Sequence, residues 1–312
     1  MHQVDALPAG SAQAAAGPLR DVRSLARELI VLSRPVQWLK NVLVVPLALL
    51  AAPVWTVPML LRLGWAVAVF CIASSLAYVV NDIGDRHRDR THPEKSGRPI
   101  AAGRVSVGLA CGYVAVLGGV LAGALVTGPH LPVWPIGVYL LVNIAYSCGL
   151  RNIELLDVFV VASGFVLRVV QGYLATGGRV SPWLLICVLS VCLLFCLGKR
   201  RHELIVADSW QRPSLRGYTV AFTDQLIVFS AGLTATAYFL FVGQGVTGGT
   251  AMLVTSPCAL FSLFRYLQIL VVDAGGGDPA RTLLHDRALV VTAALWAVLL
   301  IGIRLVFAAV WA

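Results

Sequence analysis

Residues 64–80, GWAVAVFCIASSLAYVV, run without a break into residues 81–89, NDIGDRHRD. The first part is an apolar run of the kind that spans most of a bilayer core of about 30 Å as a helix. The second part closes that helix with Asn81 and three carboxylates, Asp82, Asp85 and Asp89. At about 100° per residue the three acids fall within about 60° of one another on one helical face. Three like charges so placed repel unless a cation lies among them. Their oxygens are hard donors of the type that hold Mg²⁺ while leaving room for water and phosphate oxygens. A diphosphate bound to such an ion leaves more readily, because the ion stabilises the charge that develops on departure.

The rest of the chain is built like residues 64–80. Of 312 residues, 58% are apolar and 12% are charged, with a mean hydropathy of +0.83. Soluble domains carry about 25% charged residues, so a water-soluble enzyme and a disordered chain are both excluded. The expected fold is all-α, a polytopic membrane protein. Nine segments have the length and apolar character of transmembrane helices: 40–61, 64–80, 105–126, 132–150, 155–176, 182–198, 224–243, 250–271 and 287–311. Ahead of them, the first 20 residues are rich in Ala, Gly, Pro and Gln and lack a signal-peptide core. Residues 1–33 therefore read as a disordered cytoplasmic leader, and residues 34–312 as one transmembrane domain. Seven cysteines lie in or beside apolar stretches without a CxxC pair, and read as small packing residues.

The net charge of +9 reflects loop asymmetry, not a nucleic-acid partner. Basic residues crowd the N-terminal segment, the loop 81–104, Arg151, the stretch 199–223, and Arg281 with Arg287, whereas the opposite loops hold only Arg62 and Arg179. By the positive-inside rule the crowded side is cytoplasmic. The acids gather there too: Asp82, Asp85, Asp89, Glu94, Glu154, Asp157, Glu203, Asp208, Asp224, Asp273, Asp278 and Asp286. A one-sided polar chamber points to chemistry on a charged cytoplasmic substrate. Arg168 is the exception, about 20 Å along its helix from Leu155. A mid-membrane arginine costs at least about 2.5–3.5 kcal/mol on insertion scales and normally faces a cavity, so it reads as a substrate contact or as a bridge between helices. Arg265 lies shallower and is expected to snorkel toward the polar end.

The acidic run, followed by Lys95-Ser96-Gly97-Arg98-Pro99-Ile100-Ala101-Ala102-Gly103, resembles the UbiA superfamily of intramembrane prenyltransferases. That resemblance implies nine helices around a central cavity and an Mg²⁺–diphosphate site on Asn81, Asp82, Asp85 and Asp89. The superfamily's second aspartate motif is absent. In its place stand Gly198-Lys199-Arg200-Arg201-His202-Glu203-Leu204 and Ser214-Leu215-Arg216-Gly217-Tyr218-Thr219. With the stretches Arg34 to Asn41 and Tyr146 to Arg151, these resemble the decaprenyl-phosphate phosphoribosyltransferase branch. The branch transfers 5-phosphoribose from phosphoribosyl diphosphate (PRPP) to a polyprenyl phosphate. The resemblance implies Lys40, Arg98, Tyr146, Arg151, Arg168, Lys199, Arg200, Glu203, Arg216 and Tyr218 as substrate-binding residues. Arg151 departs from the Lys expected there and replaces a point charge by a fork. One metal site plus several cations also suits a donor with two anionic ends and an acceptor with a third.

Prenyl transfer to an aromatic acceptor is the alternative, and it calls for a second carboxylate cluster. Glu203, Asp208 and Asp224 are present but differently spaced. A transporter would need charges reachable from both sides, and a scaffold would explain neither the carboxylates nor Arg168. The acceptor's tail needs an apolar exit between helices. The small residues of 105–126 and 224–243 permit a groove there, or contact with another copy of the chain in a homo-oligomer.

Overall fold

The structure, a computed structural model, describes residues 18–50, 54–92, 95–206, 213–244, 248–273 and 275–310. Among these there is no strand. The helices are α1 (Pro18–Ser33), α2 (Pro35–Val44), α3 (Val57–Arg90), α4 (Val107–Thr127), α5 (Trp134–Cys148) and α6 (Leu156–Thr176). After them come α7 (Pro182–Val206), α8 (Val220–Val242), α9 (Gly248–Val271), α10 (Pro279–His285) and α11 (Arg287–Val310). Among the described residues six of them, α3, α4, α6, α7, α8 and α9, are long and apolar enough to cross a bilayer, and α5 and the stretch Arg287–Ile303 of α11 are apolar as well. The protein is a multi-pass helical membrane protein.

The first expected span, residues 40–61, is where the structure departs from the sequence reading. The chain there forms α2, then a 3₁₀ helix over Val45–Leu50. Pro46 has no amide hydrogen to continue an α-helical ladder. The next helix starts at Val57, with the Thr56 hydroxyl accepting from the Met59 amide. Segment 64–80 is thereby absorbed into a 34-residue helix, about 50 Å long at 1.5 Å per residue. The acidic run lies on its last turns and projects past the apolar part.

Residues 18–33, read from sequence as leader, form α1, while residues 1–17 lie outside the described residues. Helix α1 is anchored by Leu32, buried with Val79, Ile100, Val105 and Ala110, and by a 2.6 Å hydrogen bond between the Ser33 and Tyr113 hydroxyls. Apolar burial, not backbone propensity, thus holds this polar helix.

The largest core cluster joins α6, α7, α8 and α9 through residues such as Val169, Leu194, Ile227 and Leu270. A second joins α3, α5 and α6, where Phe70 meets Tyr139 edge-on at 5.5 Å. Gly172 lets the 3₁₀ segment touch α6: a Cβ there would lie 2.0 Å from the Val45 carbonyl oxygen. That close approach brings α2, with Lys40 and Asn41, against Arg168.

Candidate active site

Helix α3 delivers its acids into a frame of arginines at one end of the bundle. Asp82 is buried and pairs with Arg34 and with Arg98 Nη1, the latter at 3.0 Å. The same Arg98 Nη1 reaches Asp89, also buried, at 2.7 Å. One cationic nitrogen therefore sits between two carboxylates. Asp85 turns to a different partner, Arg151 Nη1, at 2.6 Å. The three acids share a helical face, but their partners divide them into a pair and a single. Asn81 Oδ1 accepts the Ser147 hydroxyl from α5, which fixes its amide toward the same end.

Arg34 joins this group from a left-handed backbone position, with φ of 51°, and its guanidinium lies 4.9 Å from the Tyr78 ring centre. A non-glycine residue in that region stores strain of about 1–3 kcal/mol. It was legible only as part of the Arg34–Asn41 stretch, without a role.

A second polar cluster forms where α6, α7 and the 3₁₀ turn Pro213–Gly217 meet. At its centre Asp157 is fully buried. It accepts from Arg200 Nε at 2.8 Å, the Tyr218 hydroxyl at 3.0 Å and the Ser214 hydroxyl at 3.2 Å. Arg200 Nη1 also donates to Glu203 at 2.6 Å. The Leu155 amide donates to the Tyr218 oxygen at 2.9 Å, and Leu155 too has a positive φ, 63°. Burial and the adjacent Asp157 carboxylate raise the Tyr218 phenol above its ordinary range, so it remains a protonated donor. Tyr146, half-buried, lies within electrostatic reach of Arg200.

Sequence reasoning counted Asp157 merely as one acid at a helix mouth. Its burial comes from the 3₁₀ turn folding over it, and no local pattern announces that. Arg201 bonds Asp224 at 2.5 Å and the Leu270 carbonyl at 2.6 Å, a tie between α7, α8 and α9. Arg265 reaches Asp286 at 2.7 Å, in keeping with a side chain stretched toward the polar end. Hydrogen bonds from Arg265 and from the Leu289 amide hold the Asp286 carboxyl below the usual range.

The sequence leaves Arg168 open between a substrate contact and a bridge between helices, and in the structure its donors are engaged within the protein. Its donors go to Asn41 Oδ1 at 2.5 Å, the Gly164 carbonyl at 2.7 Å, the Tyr139 hydroxyl at 3.2 Å and the Ser74 hydroxyl at 3.5 Å. Its guanidinium also lies 4.7 Å from the Tyr139 ring centre. It braces α2, α3, α5 and α6, which is the bridging alternative. None of these partners is charged, so its positive field persists next to Lys40, itself within electrostatic reach of Lys199 and Asp278. Lys199 and Arg216 are exposed at the same end.

The helical membrane bundle thus carries two charged clusters, one on the acids of α3 and one around Arg200, each built of carboxylates paired with arginines. The UbiA prenyltransferase family pattern matches residues 41–285. The decaprenyl-phosphate phosphoribosyltransferase of Mycobacterium tuberculosis (strain CDC 1551 / Oshkosh) is 36% identical over 274 residues, covering 84% of this chain and 89% of that protein. The nodulation protein NoeC of Azorhizobium caulinodans is 31% identical over 263 residues, covering 78% and 81%. Among solved structures, a UbiA homolog from Archaeoglobus fulgidus bound to GPP and Mg²⁺ superposes with a TM-score of 0.66 at 17% identity, covering 89% of this chain and 99% of that one. The chain belongs to the UbiA prenyltransferase family.

Proposed function

We propose that this protein transfers 5-phosphoribose from PRPP to a polyprenyl phosphate, releasing diphosphate and making a lipid-linked pentose for ribosyl or arabinosyl donors. The observation that carries the reading is the division of the chamber. The α3 side carries Asp82, Asp85 and Asp89, and the α7 side carries exposed Lys199 beside Arg200, itself buried on Asp157 and Glu203, where a diphosphate-gripping prenyltransferase needs a second carboxylate set. The name of the relative from M. tuberculosis supports it. The alternative, prenyl transfer to an aromatic acceptor, calls for a second carboxylate set from Glu203, Asp208 and Asp224; Glu203 is held by Arg200 and Asp224 by Arg201, and Asp208 lies outside the described residues.

The α3 carboxylates fit a hard divalent cation such as Mg²⁺. Asp82 and Asp89 already accept one cationic centre, the Arg98 nitrogen, between them. Among the described residues no three His, Cys, Asp or Glu side chains converge as a complete cage. Mg²⁺ typically takes one or two carboxylates and completes its shell with water and phosphate oxygens. Asp82 and Asp89 would hold it, with Asp85 beside them, and it would neutralise charge on the departing diphosphate.

Arg34, Arg98 and Arg151 ring the same carboxylates, so their forks are at hand for phosphate oxygens. Lys40 and Lys199 supply point charges for the remaining anions. The acceptor phosphate, anionic at neutral pH, attacks C1 of the ribose. The C1–O bond to diphosphate breaks, and diphosphate departs with the bonding pair. No proton has to move, so no strong general base is required. We read the polar end as cytoplasmic, since PRPP is a cytoplasmic metabolite and the basic loops lie there. Purified protein given ribose-labelled PRPP and polyprenyl phosphate will place Mg²⁺-dependent label in the lipid phase. Polyprenyl diphosphate with 4-hydroxybenzoate in a parallel tube will yield nothing, and prenylated acceptor there would reverse the assignment.

A further inference from the structure

A cavity of about 240 Å³ lies among α7, α8, α9, α10 and α11, away from the α3 acids, and its walls are almost wholly apolar. Phe195, Ala259, Tyr266 and Leu289 stand on those walls, with Tyr238 and Trp296 deeper. The deep end is closed by hydrogen bonds: Trp296 Nε1 donates to the Tyr238 oxygen at 2.8 Å, and the Tyr238 and Thr255 hydroxyls share a 2.5 Å bond. Ala293 lines the cavity and is exposed, which leaves a side opening toward lipid.

Two observations connect this cavity to the charged chamber. Phe195 and Lys199 are four residues apart on α7 and so share one helical face. The Tyr266 hydroxyl, on a residue only 2% exposed, has no hydrogen-bond partner. A Cβ built on Gly198, the residue before Lys199, would lie 3.5 Å from that oxygen. A buried phenol without a partner is costly, on the order of 1–3 kcal/mol for the lost bond, and this one lines the apolar cavity beside the α7 backbone at Gly198, one residue before Lys199.

We propose that this cavity holds the first isoprene units of the polyprenyl phosphate, with Lys199 and the Tyr266 hydroxyl at its neck receiving the phosphate. The inference rests on the polyprenyl-phosphate reading of the acceptor. A cavity this small takes a short apolar chain, not a whole polyprenyl tail, so the remainder leaves past Ala293 into the bilayer. The acceptor thus reaches the chamber from the α7 side, opposite the carboxylates of α3.

The test uses the full chain in lipid nanodiscs and a polyprenyl phosphate carrying a diazirine in its first isoprene units. After irradiation, label is expected on peptides from α7, α8, α9 and α11, removed by excess unlabelled polyprenyl phosphate. Ala259→Phe fills the cavity. Losing burial of even two methylene-sized groups weakens acceptor binding about tenfold, so KM for the acceptor rises by about that factor while KM for PRPP holds. Val116→Phe, on the lipid-facing side of α4, leaves both unchanged. If Ala259→Phe does not fold, Ala293→Phe at the opening makes the same test. Label on α3, α4 and α5, or spread evenly over the lipid-facing surface, overturns the proposal. Label in the cavity from a protein that transfers no phosphoribose would overturn the function reading and uphold the cavity as an isoprenoid site.

Discussion

Arg98 stands between Asp82 and Asp89, where the proposed divalent cation would bind, so removing it should tighten metal binding in the absence of substrate. Its Nη1 lies 3.0 Å from one carboxylate and 2.7 Å from the other. Hydrogen bonds to charged groups contribute about 1.5–3 kcal/mol. The Arg98 side chain is 27% exposed, and once displaced it regains solvent, so the lower end for one bond applies. About 1.4 kcal/mol is a factor of ten. Arg98→Gln should therefore bind Mn²⁺, a paramagnetic surrogate, about tenfold more tightly without PRPP, as read by electron paramagnetic resonance titration in nanodiscs. Phosphoribosyl transfer should nonetheless fall, because the fork is lost to the donor. Arg104→Gln controls for net charge: Arg104 pairs with Glu28 at 2.9 Å and touches neither aspartate. Unchanged or weaker Mn²⁺ binding in Arg98→Gln, or an equal gain in Arg104→Gln, would refute the reasoning.

Asp157→Ala leaves Arg200 buried with only Glu203, and stranding a buried charge destabilises by about 3–5 kcal/mol. Denaturant unfolding should show this, with much of it restored in the double variant Asp157→Ala/Arg200→Met. Gly172→Ala drives a methyl group into the Val45 carbonyl and should lower stability by about 1–3 kcal/mol, the range for overpacking. It should also raise KM for a phosphate substrate by displacing Lys40, whereas Gly64→Ala, with open space around its Cβ, should do neither. For Asp286, whose carboxyl is held below the usual range, the unfolded chain takes up the proton first as pH falls. Its contribution is then full above the ordinary carboxylate range near about 4 and is lost as pH drops toward the depressed value. Asp286→Asn should flatten that acid limb in melts followed against pH, and an unaltered limb would show that the Arg265 pairing does not persist in solution.

The acidic face of α3 was legible because helical spacing is local: residues 82, 85 and 89 share a face whatever surrounds them. Apolar length likewise identified most spans. Pro46 interrupted the first one, and a hydropathy window averages across a single proline without registering the break. Helix α1 was missed for the opposite reason. Arg20, Arg23, Arg27 and Glu28 lower its average, although Leu29 and Leu32 are enough to dock it. Which arginine meets which aspartate is a property of packing. The Arg98 bridge joins residues 16 and 9 positions apart, while Arg151 reaches Asp85 across 66. Asp157 and Arg200 are separated by 43, and only the approach of α6 to α7 makes them a pair. Arg168 was conspicuous in sequence because it is costly in a membrane, but its partners, Asn41, Ser74 and Tyr139, come from three other helices. Its bracing role therefore required the assembled bundle.

The central claim is that ribose, and not the prenyl group, moves. PRPP labelled with ¹⁴C in the ribose and ³²P in the β-phosphate follows both halves of the donor in one tube. With polyprenyl phosphate, Mg²⁺ and the purified protein, ¹⁴C should pass into the organic phase while ³²P stays in water as diphosphate. The lipid product should gain the mass of one phosphoribosyl unit. Retention of both labels in water, with the same preparation prenylating an aromatic acceptor from polyprenyl diphosphate, would contradict the account.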